Sequence, residues 1–443
     1  MCSELFRIPL SVNGMPLFGV GVFLLLWLAA TGWSAWGAVR QFGAGAGLKA
    51  HLPTMALGAA VLVGLPRLFP DGVPLRGYGL LVVTGMAAGV WLAVRRARQC
   101  GLDPEEIYAL AMVMFVAGIV GARLFFLIEY WNESIHQRTA TGATDWGGTL
   151  KAALSFTEGG LVVYGALIGA MLAFAWQMRR RKLPLLAMAD LIAPGMAIGL
   201  ALGRIGCLLN GCCYGGESTL PWAVTFPREN APQRLSPPYA DQAHRGRLFG
   251  LRLEATAKSP AGEDATGAPR VAQVDADSPA AHAGVKIGDE LAMVNDERVE
   301  SLADAWDEFY LAIMERRPVE LRTRAGEART IAALDPPPAR SRPMHPVQVY
   351  SAINAALLAW ALWTHFPVRR RDGETIALTI TLYPIARFCE EVIRIDESAV
   401  FGTGLSISQN ISLGMLVLAA LLWRWLDRQP AGQWGLRVRD ERV

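Results

Sequence analysis

The chain has 443 residues, of which 52% are hydrophobic and 18% charged, and its mean hydropathy is +0.28. This composition excludes a water-soluble enzyme of that length and indicates a protein that lies mostly in a membrane. The net charge of +3 is too small to indicate a nucleic-acid partner, and the arginines form short clusters between apolar segments.

Apolar segments of about 20 residues, the length needed to cross a hydrocarbon core, recur along the chain. The second is the weakest, because two prolines and Arg67 interrupt it, and it is either a full crossing or a short re-entrant helix. The apolar run near the N-terminus lacks a clear signal-peptide cleavage pattern, so we expect it to be retained. The sequence predicts an all-α polytopic membrane protein of about nine transmembrane helices: 15–36, 52–69, 77–95, 107–128, 160–177, 187–208, 347–365, 375–394 and 405–425.

Clusters of arginine between the spans predict their orientation. The positive-inside rule assigns such clusters to the cytoplasm, and they lie in alternate loops: 95–98, 179–182, 369–371 and the tail from Arg424 onward. With nine spans, the N-terminus then lies outside and the C-terminus inside. The intervening loops are expected to face the outside of the inner membrane: the loop around Asp71, 129–159 and 217–346.

Residues 217–346 break the hydrophobic pattern with many charged residues and strand-like runs, so we expect a soluble insertion. Within it, the runs 271–274, 278–291 and 319–323 resemble a circularly permuted bacterial PDZ domain, which we place at 245–338. The resemblance implies a small α+β domain that binds a peptide by strand addition. The alternative is a module that only spaces or orients the rest of the protein.

Polar motifs interrupt the membrane part in a fixed order. An ionisable residue at membrane depth costs about 2.5–3.5 kcal/mol on insertion scales, so it usually faces a protein interior or a polar ligand. Arg204 is the clearest case, because it ends an apolar span among glycines, Asn210 and three cysteines. The motifs are Tyr78-Gly79, Gly121-Ala122-Arg123-Leu124, 159–169 around Tyr164, 202–215, 345–350 and 387–394.

Taken together and in this order, these motifs resemble the prolipoprotein diacylglyceryl transferase family. The family's hallmark, Gly-Arg-x-Gly-Asn-Phe-x-Asn-Gly-Glu, falls on 203–212. Gly215 falls on the glycine that closes the motif just after this pattern. Cys207 stands where the family usually has asparagine and Cys212 where it usually has glutamate, so those two roles are not transferred. Tyr164 matches the tyrosine form of the motif in the third core span.

Two further segments carry the resemblance. The segment before the fifth core span matches at His345, Pro346, Gln348 and Tyr350, although Ser351 replaces the usual glutamate. The sixth core span carries an Arg-Phe-x-x-Glu-x-x-Arg pattern with Arg387, Glu391 and Arg394. The resemblance covers seven core spans in 72–230 and 344–428, and leaves 1–71 as an N-terminal extension with two apolar spans and 429–443 as a cytoplasmic tail.

The resemblance implies transfer of a diacylglyceryl group from phosphatidylglycerol to the lipobox cysteine thiol of a lipoprotein precursor. A thioether forms and glycerol phosphate is released, without a cofactor. The partners it implies are phosphatidylglycerol, lipoprotein precursors and a peptide ligand of the PDZ-like domain, at a bacterial inner membrane.

Arginines suit this chemistry, because the phosphate-bearing leaving group accumulates negative charge and guanidinium groups bind phosphate in a fork. We assign Arg204 and Arg387 to the lipid phosphate, with Arg123 or Arg394 as supporting charges. Arg123 has an alternative interpretation as an anchor that snorkels to the membrane surface. Further substrate-binding residues implied by the resemblance are Tyr78, Asn210, Gly215 and Gln348.

A base is needed as well, because the thiolate rather than the thiol is the nucleophile. Tyr164 is the positional candidate, but an ordinary tyrosine, with a pKa of about 10, is a poor base at neutral pH. Tyr164 and Tyr78 therefore act either as bases or by orienting substrate. Glu391, one helical turn from both Arg387 and Arg394, is either a base or an ion-pair partner, and we favour the ion pair.

The cysteines Cys207, Cys212 and Cys213 admit three interpretations. They could bind a metal, form a disulfide on an oxidising outer face, or pack as small residues. Their spacing is not a zinc pattern, so we expect no metal, and the choice between the other two stays open.

Two rival functions are considered. A transporter or channel should show related halves or paired interrupted helices, and the sequence has no such internal symmetry. A non-catalytic lipid-binding or lipoprotein-assembly factor derived from the transferase is supported by the replacements at 207 and 212. The retention of Tyr164, Asn210 and the two phosphate-assigned arginines speaks against it.

Overall fold

The computed structural model is mostly helical, and it divides into two compact units. The first unit contains Met1–Val82 and Ile205–Gln348, and the second contains Val83–Arg204 and Val349–Val443. The structure describes residues 4–137, 144–155, 162–231, 234–256, 267–394, 399–400 and 403–434. The glycines at the start of the third-span motif, 159–160, and the end of the predicted tail, 435–443, lie outside the described residues.

The long helices follow the apolar segments of the sequence. The α-helices of the described chain are α1 (Val22–Phe42), α2 (Ala44–Leu68), α3 (Gly77–Gln99), α4 (Pro104–Glu129), α5 (Trp146–Leu154), α6 (Val163–Arg181), α7 (Leu185–Asn210), α8 (Pro237–His244), α9 (Pro279–His282), α10 (Leu302–Glu315), α11 (Val347–His365), α12 (Glu374–Glu391) and α13 (Ile407–Leu426). Shorter helical turns lie at Trp131–Ile135, Arg247–Phe249 and Phe366–Val368.

Each of the nine predicted spans overlaps one long helix. Within the described residues, seven helices are long and apolar enough to cross a membrane. The helices α6 and α12 are not among them. The physical reason lies in their charges, since α6 ends in three arginines and α12 carries Glu374, Arg387, Glu390 and Glu391 within 18 residues. The coarser prediction of a polytopic helical membrane protein is confirmed.

The first two helices differ from their predicted bounds. The helix α1 begins at Val22 and not at residue 15, because Met15 and Pro16 belong to a short hairpin. A Cβ on Gly21 would lie 2.2 Å from the Pro16 carbonyl oxygen, so the hairpin packs directly against the start of the helix. The weak second segment is helical from Ala44 to Leu68, with both prolines inside the helix.

The strands are short and pair locally. The chain forms β1 (Glu4–Ile8), β2 (Ser11–Val12), β3 (Met15–Pro16), β4 (Val73–Arg76), β5 (Glu229–Ala231), β6 (Arg234–Leu235), β7 (Leu251–Ala255), β8 (Pro269–Val274), β9 (Leu291–Val294), β10 (Glu297–Arg298), β11 (Val319–Thr323), β12 (Ala328–Ile331), β13 (Ala399–Val400) and β14 (Leu405–Ser406). One sheet has the order β10-β9-β11-β12, and the two-stranded pairs are β1-β4, β2-β3, β5-β6, β7-β8 and β13-β14.

The insertion folds around a hydrophobic core of its own. Fully buried side chains from β7, β8, β9, α10 and β11 meet in it, among them Leu251, Val271, Leu291, Phe309 and Leu321. The helix α10 begins with a capping box, in which Ser301 and Asp304 satisfy each other's backbone N–H groups. The insertion therefore combines strands and helices, and its likeness to a PDZ domain stays a prediction.

The two chain segments that lead into and out of the insertion pair with each other. We call residues 215–228 and 339–345 the neck. The Val224 and Met344 backbones exchange two hydrogen bonds, of 3.0 and 2.9 Å, and the Arg228 N–H donates to the Ala339 carbonyl at 2.9 Å. A charged cluster fastens the neck to the insertion, since Arg247 binds Glu217 with two contacts of 2.7 Å.

In the second unit, α4 and α6 pack backbone against backbone. A Cβ on Gly121 would lie 2.3 Å from the Gly165 carbonyl oxygen, and one on Gly165 would lie 2.3 Å from that of Gly121. Only glycine fits such a crossing, as is common where membrane helices approach closely. The crossing fixes two predicted site residues, Arg123 and Tyr164, which lie one or two positions from these glycines.

A buried ion pair joins α7 to the start of α12. The Asp190 carboxylate lies 3.2 Å from the Arg369 guanidinium, and both side chains are fully buried. The two carboxylate oxygens also accept hydrogen bonds of 2.7 Å from the backbone N–H groups of Gly373 and Ile376. The carboxylate thus caps the N-terminus of α12, where the helix dipole favours negative charge.

Candidate active site

The second unit contains a cavity of about 330 Å³. Its wall comes from α7, α11 and α12, and most of its surface is apolar. Polar side chains also line it, among them Arg204, Ser351, Asn354, Arg387 and Glu390. A cavity with charged groups on an otherwise apolar wall fits a molecule that is both charged and hydrophobic.

Arg204 is a half-buried residue of this wall. Close contact between α3 and α7 positions it, because a Cβ on Gly89 would lie 2.6 Å from the Gly195 carbonyl oxygen. Among the described residues, its side chain has no hydrogen-bond or ion-pair partner. A guanidinium that faces a cavity without an internal partner can bind an anionic ligand with all of its donors.

Arg387, in contrast, is held by other side chains. Its guanidinium lies 2.5 Å from Glu391, one turn further along α12, and it donates a hydrogen bond of 3.0 Å to the Ser408 hydroxyl. Arg394 contacts the same carboxylate at 3.8 Å. One buried carboxylate thus contacts both arginines.

Glu390 is a cavity residue to which the sequence analysis assigned no role. The Ser351 hydroxyl donates to one of its oxygens at 2.5 Å, and the Asn354 amide donates to the other at 2.8 Å. The side chain is buried. Two successive carboxylates inside an apolar helix were the available signal, but only the contacts with α11 show that Glu390 and Glu391 face different partners.

Arg123 does not line the cavity. It is buried, and its guanidinium donates to the backbone carbonyls of Ala152, Ala153 and Ser155 at 2.7, 3.0 and 3.1 Å. These carbonyls lie at the C-terminal end of α5, where the helix has orphan acceptors and a negative partial charge. Its donors are therefore directed at protein groups.

Tyr164 also lies outside the cavity wall. It is the second residue of α6, and 41% of its surface is exposed. Its predicted role as a base or an orienting hydroxyl stays a prediction.

The other predicted site residues belong to the first unit and surround the loop that follows α7. Gly206 packs on Tyr78, because a Cβ there would lie 3.1 Å from the tyrosine ring. The Asn210 carbonyl accepts a hydrogen bond of 3.0 Å from the Asn230 amide. The Gly215 N–H donates to the His345 carbonyl at 3.1 Å, and the buried Gln348 amide donates to the Cys212 carbonyl at 2.7 Å. The hallmark therefore ends in a hydrogen-bonded turn that follows the last residue of α7.

One group of described residues could hold a metal ion. Cys207, Cys212 and Cys213, also in the first unit, have sulfur atoms within 4.8 Å of one another.

Comparison with known proteins identifies the family. The family model described as prolipoprotein diacylglyceryl transferase matches residues 66–425. The chain belongs to this family. The match contains the helices from α3 to α12, the cavity and the loop after α7.

Individual relatives in the prolipoprotein diacylglyceryl transferase family differ in how much of the chain they cover. A phosphatidylglycerol–prolipoprotein diacylglyceryl transferase of Rhodopirellula baltica is 33% identical over 96% of this chain and 90% of its own length. The transferase numbered 2 of Clostridium perfringens is 30% identical over 39% of this chain and 62% of its own length. That of Gloeobacter violaceus is 35% identical over 37% and 57%.

The contacts of the two arginines predict different outcomes of substitution. Arg123→Met leaves three backbone carbonyls without their donor, and hydrogen bonds to charged groups contribute about 1.5–3 kcal/mol each. We expect a clear fall in the thermal unfolding temperature of the detergent-solubilised protein. Arg204→Met removes no hydrogen bond between described residues, so its unfolding temperature should stay within about one degree of the wild type. The reverse order of the two unfolding temperatures would contradict these placements.

Proposed function

We infer that the protein transfers the diacylglyceryl group of phosphatidylglycerol to the lipobox cysteine of lipoprotein precursors. The cysteine sulfur attacks the glyceryl carbon that bears the phosphate oxygen, so that a carbon–sulfur bond forms and the carbon–oxygen bond breaks. Glycerol phosphate leaves with the electron pair of that bond, and a base takes the thiol proton. Family membership supports this reaction, and the R. baltica relative carries its name.

The observation that carries the proposal is the position of Arg204 in the cavity. It lines the cavity without a hydrogen-bond or ion-pair partner among the described residues, and Arg387 adds a second cation on the same wall. Charge that develops on the phosphate as the bond breaks is stabilised strongly by donors that are already oriented in a site with little water. Arginine also stays charged in such a site and binds two phosphate oxygens at once. We assign the phosphate to these two residues.

Glu390 is our candidate for the proton acceptor. The hydrogen bonds from Ser351 and Asn354 fix its carboxylate at the cavity wall that also carries Arg204 and Arg387. A thiol that attacks a lipid bound by these arginines would approach this carboxylate. Glu391 instead holds Arg387 and Arg394 in place, as its contacts suggest. Tyr78, Asn210, Gly215 and Gln348 keep their proposed roles in binding substrate. Of the two roles considered for Tyr164, we propose that it orients substrate, and Arg123 anchors α5.

We propose that all nine long helices cross a bacterial inner membrane, with the N-terminus outside and the C-terminus inside. Contacts within the second unit support a placement of these arginine clusters on the same side of the membrane. Arg96, near the end of α3, donates to the Trp363 carbonyl near the end of α11 at 2.7 Å. Arg369, which follows α11, pairs with Asp190 near the start of α7. The insertion would then lie on the outer face.

For the insertion we propose a PDZ-like domain at 245–338 that gathers extended, newly exported precursor. Its strands β7 to β12 and the amphipathic helix α10 are compatible with peptide capture by strand addition. The remaining proposed boundaries are 1–71 for the extension, 72–230 and 344–428 for the core, and 429–443 for the tail.

Complementation tests the transferase activity. In cells depleted of their own diacylglyceryl transferase, the wild type should restore lipid labelling of a lipoprotein precursor. Arg204→Ala should abolish it, because the phosphate loses its unpaired cation. A membrane-inserted wild type that fails to label the precursor would favour the lipid-binding alternative, which the cysteines at 207 and 212 support.

The role of Glu390 has its own test. Glu390→Gln keeps the size of the side chain but removes the base, and positioned general bases contribute about 10²–10⁴-fold. We expect the turnover of purified enzyme to fall by at least about 100-fold, with a small change in KM for lipid. Asn354→Ala, which removes only a donor to this carboxylate, serves as the matched control and should cost much less. If the turnover of Glu390→Gln stays within threefold of the wild type, another group accepts the thiol proton.

Deletion of the insertion tests its contribution. Residues 245–338 can be replaced by a short Gly-Ser link, because the chain segments on either side already meet where the Arg342 N–H donates to the Gln242 side chain at 2.8 Å. We expect transfer to a short lipobox peptide to be retained and transfer to full-length precursors to fall. If the deletion changes the transfer rates to the peptide and to the full-length precursor by the same factor relative to the wild type, the insertion does not gather precursor.

A further inference from the structure

Three thiols gather at the end of α7. Cys207 lies in the last turn of the helix, and Cys212 and Cys213 follow it. All three residues are half-buried, and their sulfur atoms lie within 4.8 Å of one another. The structure contains no disulfide between them.

The end of the helix explains how these cysteines meet. The N–H groups of Gly211 and Cys212 both donate to the Cys207 carbonyl, at 2.9 and 3.1 Å, so the chain folds back over the last turn. Gly211 and Cys213 have positive φ angles, of 75° and 59°. A left-handed conformation is unfavourable for a residue with a side chain, so the contacts of the loop must hold Cys213 in it. The result is that thiols spaced as Cys-x4-Cys-Cys share one side of the turn.

We propose that this thiol cluster binds one soft, thiolate-preferring metal ion, copper(I) or zinc(II). Three thiolates around such an ion at about 2.3 Å have sulfur atoms about 4 Å apart, so the observed cluster needs adjustments of less than about 1 Å. Thiolate ligands select these two ions over magnesium, calcium and manganese. Each cysteine would lose its thiol proton on binding.

With three sulfur ligands available, copper(I) and zinc(II) would differ in their coordination number. Within the described residues, no histidine or carboxylate joins the cluster. Copper(I) can be held by the three sulfurs alone, whereas zinc(II) would take a water as its fourth ligand. Either ion would fasten the loop after α7 to the helix end, next to the bond between Gln348 and the Cys212 carbonyl.

Metal titration of the full-length protein in detergent, under reducing conditions, tests the proposal. Zinc(II) and copper(I) are added separately against a competing chelator, and the metal content per chain is measured by mass spectrometry. We expect one ion per chain in the wild type, and at least tenfold less in the variant with Cys207→Ser, Cys212→Ser and Cys213→Ser. Cys389→Ser, which removes an exposed thiol on α12, is the matched control and should bind as the wild type does.

Alkylation of the wild type gives a readout that does not depend on the triple variant folding. Bound metal should protect Cys207, Cys212 and Cys213 from iodoacetamide, while Cys389 is modified with or without metal. The proposal is overturned if neither ion binds stoichiometrically or if the triple variant binds as tightly as the wild type. A disulfide among the three cysteines in protein purified without reductant, together with no metal binding after reduction, would also overturn it.

Discussion

A buried cation in an apolar protein interior needs an anionic or hydrogen-bonding partner there, and the arginines of the second unit follow this constraint. Arg369 has the Asp190 carboxylate, Arg387 has Glu391, and Arg123 has three backbone carbonyls. Removal of one partner from a buried pair typically costs about 3–5 kcal/mol. Arg204 is different, since its partner is expected to arrive with the substrate. In the active site we propose, the charge of Arg204 is therefore neutralised by the substrate and not by a described protein group.

Such a site works only if the helices that carry it hold their positions. Two glycine crossings bring α4 to α6 and α3 to α7 at backbone contact. Close approach leaves little freedom for the helices to slide, so Arg204 is carried on a rigid element and not on a loop. This suits catalysis by oriented charges, in which misplacement of a donor by about 1 Å can cost about 100-fold in rate.

Much of this organisation could be predicted from the sequence. Apolar length located the helices, and the spacing of four residues between Arg387 and Glu391 anticipated their contact. Other features depend on contacts between distant segments, which the sequence pattern does not reveal. The environment of Glu390 depends on hydrogen-bond donors in α11. That of Arg123 depends on backbone carbonyls at the end of α5, such as the Ala152 carbonyl 29 residues further along the chain. The three neighbouring cysteines were visible in the sequence, but their spacing is not a zinc pattern, and only the left-handed turn at 211–213 shows that their sulfur atoms come together. The start of α1 was misplaced because the hairpin before it is also apolar.

The paired neck has a consequence for the history of such a protein. Closure of a chain over a longer loop costs only about 0.6 kcal/mol for each doubling of its length. Because the neck strands already lie side by side, a sequence of almost any size can be spliced between them without moving the helices that they leave. Whole domains can therefore be gained, lost or exchanged at this position while the helices of the membrane part stay as they are.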